Sequence, residues 1–275
     1  MNPHAACPVS LGALWGTLWS HRSLIRQMTH REVVGRYKGS VMGLLWSFLT
    51  PLFMLIIFTF VFSVVFAARW GTEEESKTQF ALVLFAGLIV HALFAEVLTR
   101  APGVVIGNAN YVKKVVFPLE VLPAITLGGA LFHALVSLVI LLAAFLFFNG
   151  FLHWTAILTP IVLLPLAVLS LGTGWILASL GVFVRDIGQV TGVLATALLF
   201  LSPVFFPVSA LPDFMQPWMH LNPLTFIIEQ VREVLIWGRL PNWTGLLKYL
   251  AGAGGVAWLG FFWFQKTRKG FADVL

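Results

Sequence analysis

Few ionisable side chains stand where they could do chemistry inside an apolar stretch. His91, Glu96 and Arg100 share one hydrophobic run, and His133 stands in the next. A charged group at mid-membrane costs about 2.5–3.5 kcal/mol on insertion scales, so it needs a task or a partner. His91 and Glu96 together could relay a proton or an ion. Alternatively Arg100, one helical turn after Glu96, neutralises it as an i,i+4 pair. Other chemistry has no residues to carry it. There is no Gly-Lys step, hence no phosphate-cradling P-loop and no ATP site. The seven histidines are scattered singly, no His-Glu-x-x-His motif occurs, and no metal or other cofactor is expected. The single cysteine, Cys7, excludes an internal disulfide and a cysteine-based zinc site. A membrane-embedded transferase would need clustered acids or a His/Asp pair, and neither is present. The chain reads as a non-enzyme with no fuel site of its own.

The elements that hold these residues follow from composition. Of 275 residues, 59% are hydrophobic and 10% charged, with mean hydropathy +0.92. A soluble domain carries about 25% charged residues, so lipid must be the solvent for most of this chain. The net charge of +6 then concerns topology, and no nucleic-acid partner is expected. A spanning helix needs about 20 mostly apolar residues. Six stretches qualify, over 42–68, 80–99, 121–148, 155–184, 188–209 and 246–264. Each is apolar all round, which predicts helices and not the period-two alternation of a barrel. No cleavable signal peptide is visible in the first forty residues.

Two further segments flank the spans. Residues 11–38 read as an interface helix. Leu11, Leu14, Leu18, Ile25 and Met28 share one face, bordered by Trp15 and Trp19 and by Arg22, Arg26 and His30 at every fourth position. With Arg31, Arg36 and Lys38 this predicts a helix lying in the headgroup layer against anionic lipid. Residues 210–240 are interrupted by Pro212, Pro217 and Pro223, and their apolar part, Leu224 to Trp237, is too short to cross. They predict short helices at the membrane face, a re-entrant pair or a surface loop. Six spans place twelve Lys and Arg on the side of both termini and four on the other, which puts the termini in the cytoplasm.

Several stretches resemble a known family. "RYKGSVMGLLWSFLTPLFMLIIFTFVFSVVF" (36–66), "GNANYVKKVVFPLEVLP" (107–123), "VRDIGQVTGVLATALLFLSPVFFPVSALP" (184–212), "LNPLTFIIEQVREVL" (221–235) and "RKGFADVL" (268–275) occur in the order seen in ABC-2 type polysaccharide exporter permeases. The likeness covers residue 20 onward and is strongest to the O-antigen export (Wzm) type, with capsule and teichoic acid exporters as relatives. It implies a single transmembrane domain over 1–275, a homodimer of six-span subunits in the bacterial inner membrane, and two copies of a separate nucleotide-binding ATPase subunit. It implies an undecaprenyl-diphosphate-linked glycan as substrate. The resemblance assigns ATPase docking to the 107–118 connection, with Tyr111, Lys113, Lys114 and Phe117, and to the turn with Arg185 and Asp186. It implies an exit-side gate in 210–240, here Pro212, Asn222 and Pro223. Positive-inside topology alone would also account for the two lysines.

A glycan must slide, and aromatic faces stack on sugar rings without fixing them. Trp46, Phe53 and Phe60 at seven-residue spacing form one stripe of the first span, and Phe58, Phe62 and Phe66 form another. Phe200 and Phe205 of the fifth span complete the candidate pathway, although phenylalanine is also an ordinary lipid-facing residue. Gly35, Gly39 and Gly43, and Gly188 and Gly192, predict close helix approach. For the first three the alternative is a hinge before the first span.

Overall fold

The computed structural model describes residues 10–61, 77–113 and 117–275. Phe62, Phe66, the acidic run at 73–75 and Lys114 lie outside them, as does the side chain of Lys113. Among the described residues the chain is helical and has no strand. The helices are α1 (Leu11–Ser20), α2 (Arg22–Arg36), α3 (Trp46–Phe60), α4 (Lys77–Val104), α5 (Ala109–Lys113), α6 (Val121–Asn149), α7 (Thr159–Phe183), α8 (Ile187–Leu201), α9 (Gln216–Met219), α10 (Pro223–Leu235), α11 (Trp243–Thr267) and α12 (Phe271–Val274).

Local chemistry sets many of their ends. Ser10 caps α1 by accepting the Ala13 amide, and Asn242 caps α11 by accepting that of Gly245. Gly150, at φ +77°, ends α6 in the left-handed conformation that glycine adopts without penalty. Five helical stretches are long and apolar enough to cross a membrane: Gly43–Phe60, Thr78–Val104, Val121–Asn149, Trp154–Phe183 and Trp243–Val274. The span predicted over 188–209 is helical only through Ile187–Leu201. Ser202 turns extended because Pro203 disfavours a helical residue before it. Fifteen residues rise about 22 Å, short of the ~30 Å hydrocarbon layer.

α4 is the hub. It packs against α3, α6, α7, α8 and α10, and Val83, Ala86, Val90 and Val97 are fully buried. α7 and α11 form the tightest pair, because Gly172 and Gly260 face one another there. A methyl group on Gly172 would lie 2.6 Å from the Ala257 amide nitrogen. A methyl on Gly181 would overlap the Pro102 carbonyl of α4. The glycines singled out from sequence make no close approach within the chain, and a contact in a dimer is a separate matter. Gly35, Gly39, Gly43, Gly188 and Gly192 face open space within the chain. Gly39 (φ +90°) and Gly43 (φ +50°) lie in the turn between α2 and α3.

The predicted amphipathic segment is two helices, broken at His21. Leu14, Leu18, Ile25 and Met28 pack against the bundle core. α2 lies against α6, with Thr29 pressed on Gly128 so closely that a β-carbon there would collide. The outward side of α1 carries Trp15 and Trp19, stacked at 6.2 Å.

Candidate functional site

Four places hold the residues of interest. The first lies where α2, α4 and α6 meet. Glu96 of α4 receives Arg36 Nη2 at 2.5 Å and Arg100 Nη1 at 3.2 Å on one oxygen, and His133 Nδ1 stands 2.9 Å from the other. Tyr37 Oη lies 3.3 Å from His133 Nε2, and Arg36 Nη1, which can only donate, lies 3.1 Å from His133 Nδ1. Arg100 also pairs with Glu32 of α2. Two guanidinium groups thus meet two carboxylates, with a histidine between them. The Glu96–Arg100 pair expected from spacing is present, as part of a junction whose other members come from remote segments. Arg36 turns its guanidinium to Glu96 instead of to lipid. His91 does not join. Five residues from Glu96, about 140° around the helix, it faces α8 and its Nε2 lies 2.9 Å from the Ala195 carbonyl oxygen, placed to donate to it.

A cavity of about 350 Å³ opens beside this junction, between α3, α4, α6 and α8. Arg36, Tyr37 and His133 line its polar end, and Pro51, Met54 and Phe58 its apolar end. Of the aromatic stripes, Trp46, Phe53, Phe60 and Phe200 are 40–62% exposed. Phe205 is half-buried, stacked on Phe200 at 5.7 Å and 6.5 Å from Phe58. Among the described residues of the first span, Phe58 of the second stripe meets the Phe200–Phe205 pair.

The second place is the connection between α4 and α6. Tyr111 of α5 and Phe117 stack nearly parallel at 4.5 Å and close its neck. Beside it a cavity of about 490 Å³ is lined by Arg31, Glu32, Arg100, Asn108 and Tyr111. Arg185 and Asp186 occupy the α7–α8 turn, both exposed; among the described residues no ion pair joins them. The remaining interface-helix cations are exposed as well. Arg22 lies 5.0 Å over the Trp19 ring, while Arg26, Arg31 and Lys38 point outward.

The third place is the 210–240 segment, which forms the short helices α9 and α10. Asn222 does two jobs there. Its Oδ1 accepts the Leu224 amide, capping α10 with Pro223 at the first helical position, and its Nδ2 donates to the Leu201 carbonyl at 3.0 Å, tying α10 to the end of α8. Tyr249 Oη donates to the Pro223 carbonyl, and the Pro212 carbonyl accepts the Met215 amide in the turn before α9.

Arg232, one of the four cations that the charge count placed on the side opposite the termini, is 4% exposed. Its Nε donates to the Val83 carbonyl at 3.0 Å, Nη1 to Pro203 at 2.6 Å and Nη2 to Val204 at 3.0 Å. Nearby, burial pushes the Glu229 carboxyl above the ordinary carboxylate range, against the pull of His220 and Arg232. Only position in the amphipathic pattern of α10, where Arg232 falls among Ile228, Val231 and Leu235, could have flagged it.

The fourth place, around Glu120 and Arg268, was not visible in the sequence at all. Arg268 reaches Glu120 at 3.0 Å across 148 residues.

Known proteins supply the frame for these sites. The chain is 26% identical over 260 residues, 94% of its length and 97% of the relative's, to an O-antigen export system permease protein from Myxococcus xanthus. It is 27% identical to a Klebsiella pneumoniae protein of the same description, over 92% of this chain and 95% of that one. A polysialic acid transport protein from Escherichia coli is 26% identical over 80% of this chain and 84% of its own. Residues 23–236, from the start of α2 to the residue after α10, match the family described as ABC-2 type transporter. With its apolar helices and this match, the chain is a multi-pass membrane protein and belongs to the ABC-2 type transporter membrane family.

Proposed function

We propose that the chain is the membrane subunit of an ATP-driven exporter of lipid-linked polysaccharide, of the O-antigen kind, across the bacterial inner membrane. The observation that carries this is likeness along nearly the whole chain to permeases described as O-antigen export components. In this reading the chain works as a homodimer with both termini cytoplasmic, and α8 with the residues after it counts as a sixth crossing. A separate ATPase subunit, in two copies, docks at Tyr111, Lys113, Lys114, Phe117, Arg185 and Asp186. The glycan enters past Trp46 and the aromatic rings of α3 and α8, with the diphosphate-linked polyprenyl chain remaining in lipid. α9 and α10, with Pro212, Asn222 and Pro223, form the exit gate.

The physics of the site supports a conduit and not an ion-coupled carrier. A proton relay needs titratable groups in line, whereas His91 and Glu96 turn to different helices and Glu96 is saturated with cations. Capsule export is the second reading, favoured by the likeness to the polysialic acid transport protein. The test is reconstitution of the chain with candidate ATPase subunits. A stable complex that hydrolyses ATP and moves an undecaprenyl-diphosphate-linked glycan supports the proposal. Transport driven by a proton gradient with no ATPase present overturns it. Complementation of strains lacking either the O-antigen or the capsule permease separates the two readings.

A further inference from the structure

The stretch 266–275 carries a basic cluster, Lys266, Arg268 and Lys269, that positive-inside topology would explain. Yet the three cations behave differently. Lys269 is exposed, and Lys266 sits 5.3 Å over the Phe262 ring. Arg268 instead turns inward, donating to Glu120 Oε2 at 3.0 Å and to Gln265 Oε1 at 2.9 Å. Glu120 is 7% exposed and ends the connection that leaves α5 and enters α6. Its main-chain carbonyl accepts Trp175 Nε1 at 2.8 Å, and Trp175 is fully buried in α7 against Phe261 of α11. One residue at the mouth of the connection is therefore fastened to α7 through its backbone and to the end of α11 through its side chain.

The last residues complete the clasp. Phe271 is fully buried between Phe183 and Phe264, with ring centroids 5.8 and 5.4 Å away, and this seats α12 against both α5 and α7. Ser179 and Thr267 share a hydrogen bond of 2.7 Å one turn deeper. These contacts add to the core packing of Val105, Tyr111, Val112, Phe117 and Leu119 in the same connection. With them, a load applied at α5 passes directly to α7 and α11, whose glycine-to-glycine packing leaves little room to absorb it.

We infer that residues 268–275 are a brace for the α4–α6 connection, and that the Arg268–Glu120 contact is a positioning contact carrying motion of that connection to α7 and α11. This rests on the reading above, in which the connection docks an ATPase subunit. The role is mechanical: the pair touches no substrate.

The test uses the full chain in nanodiscs and cells with its ATPase subunit, and the host's undecaprenyl-diphosphate-linked glycan as the transported probe. Bound ATPase, hydrolysis rate, exported glycan and thermal midpoint are read for each variant. Arg268→Gln is expected to retain bound ATPase and hydrolysis while export per ATP falls by about five-fold or more, the range of a typical coupling energy. The exchanged pair Glu120→Lys with Arg268→Glu should recover most of the loss, and Phe271→Leu should show the same split more weakly. Unchanged export per ATP in Arg268→Gln overturns the inference. So does a thermal midpoint and bound ATPase that fall in step with export, since that is a merely structural contact. A wild-type chain that binds no ATPase subunit overturns the functional reading itself, and is told apart by failing before any substitution is made.

Discussion

Two arginines, Arg36 and Arg232, are held at buried or half-buried helix junctions by opposite means. Arg36 sits in a cluster of formal charges, sharing Glu96 with Arg100 and His133, and about a third of its side chain remains exposed. Arg232 is buried, and its guanidinium donates to the main-chain carbonyls of Val83, Pro203 and Val204. Two of those carbonyls follow the end of α8, where helix termination leaves acceptors without intrahelical donors and a partial negative charge gathers. The comparison separates two kinds of junction. A cluster of opposite charges is redundant, because each member has more than one partner. A guanidinium that holds the non-helical carbonyls of Pro203 and Val204 is not, because its loss strands both away from water. The first arrangement suits a joint whose partners can be exchanged, the second a fixed point.

The largest effect should therefore come from Arg232→Met. Stranded buried acceptors cost about 1–3 kcal/mol each, and the loss should total several, of the order of 3–5 kcal/mol. Thermal unfolding in detergent should show this as a collapse of the folded fraction, with Arg232→Lys recovering only part because an ammonium cannot span the three carbonyls as a planar fork does. A midpoint close to wild type for Arg232→Met would erase the contrast. Next in size is Glu96→Gln, which leaves Arg36 and Arg100 without their shared counter-charge. About 1–2 kcal/mol is expected, since both arginines are partly exposed and Arg100 keeps Glu32. Raising the salt concentration should shrink this difference and leave the Arg232 effect in place.

A double-mutant cycle between Arg36→Gln and Glu96→Gln sharpens the comparison further. Coupling of about 1 kcal/mol is expected, and strict additivity would show that the 2.5 Å contact contributes nothing beyond its neighbours. The smallest effect should be that of His133→Gln, about 0.5–1 kcal/mol, because the amide can donate to Glu96 and accept from Tyr37. A loss as large as that of Glu96→Gln would make the histidine, and not the arginines, the centre of the cluster.

How much of this was legible in advance differs from place to place. The long helices α4, α6, α7 and α11 were, because an uncharged stretch of about 20 residues has few other stable forms in lipid. Glu96 with Arg100 was legible from i,i+4 spacing. Arg36 and His133 were not seen as their partners, since they approach across 60 and 37 residues. Helical phase alone could have separated His91 from Glu96. α8 was drawn eight residues too long, because hydropathy continues through "SPVFFPVS" while Pro203 and Pro207 forbid the helix. Arg232 was counted as a loop cation because a charge tally has no term for burial. The apolar side of α1 and α2 was legible, but whether it would meet lipid or α6 was not.

The sequence by itself determined the solvent: few charges and long apolar runs leave only a helical bundle in lipid. It also determined the helix ends written in local chemistry, at Ser10, Gly150, Asn222 and Asn242. Only the tertiary structure decided which polar groups meet. Helix rotation and depth choose the partner of a remote side chain, and hydrophobic periodicity constrains neither closely when every face of a span is apolar. The junctions at Glu96, Arg232 and Glu120 therefore rest on packing, where each buried donor must find an acceptor, and not on any spacing in the chain.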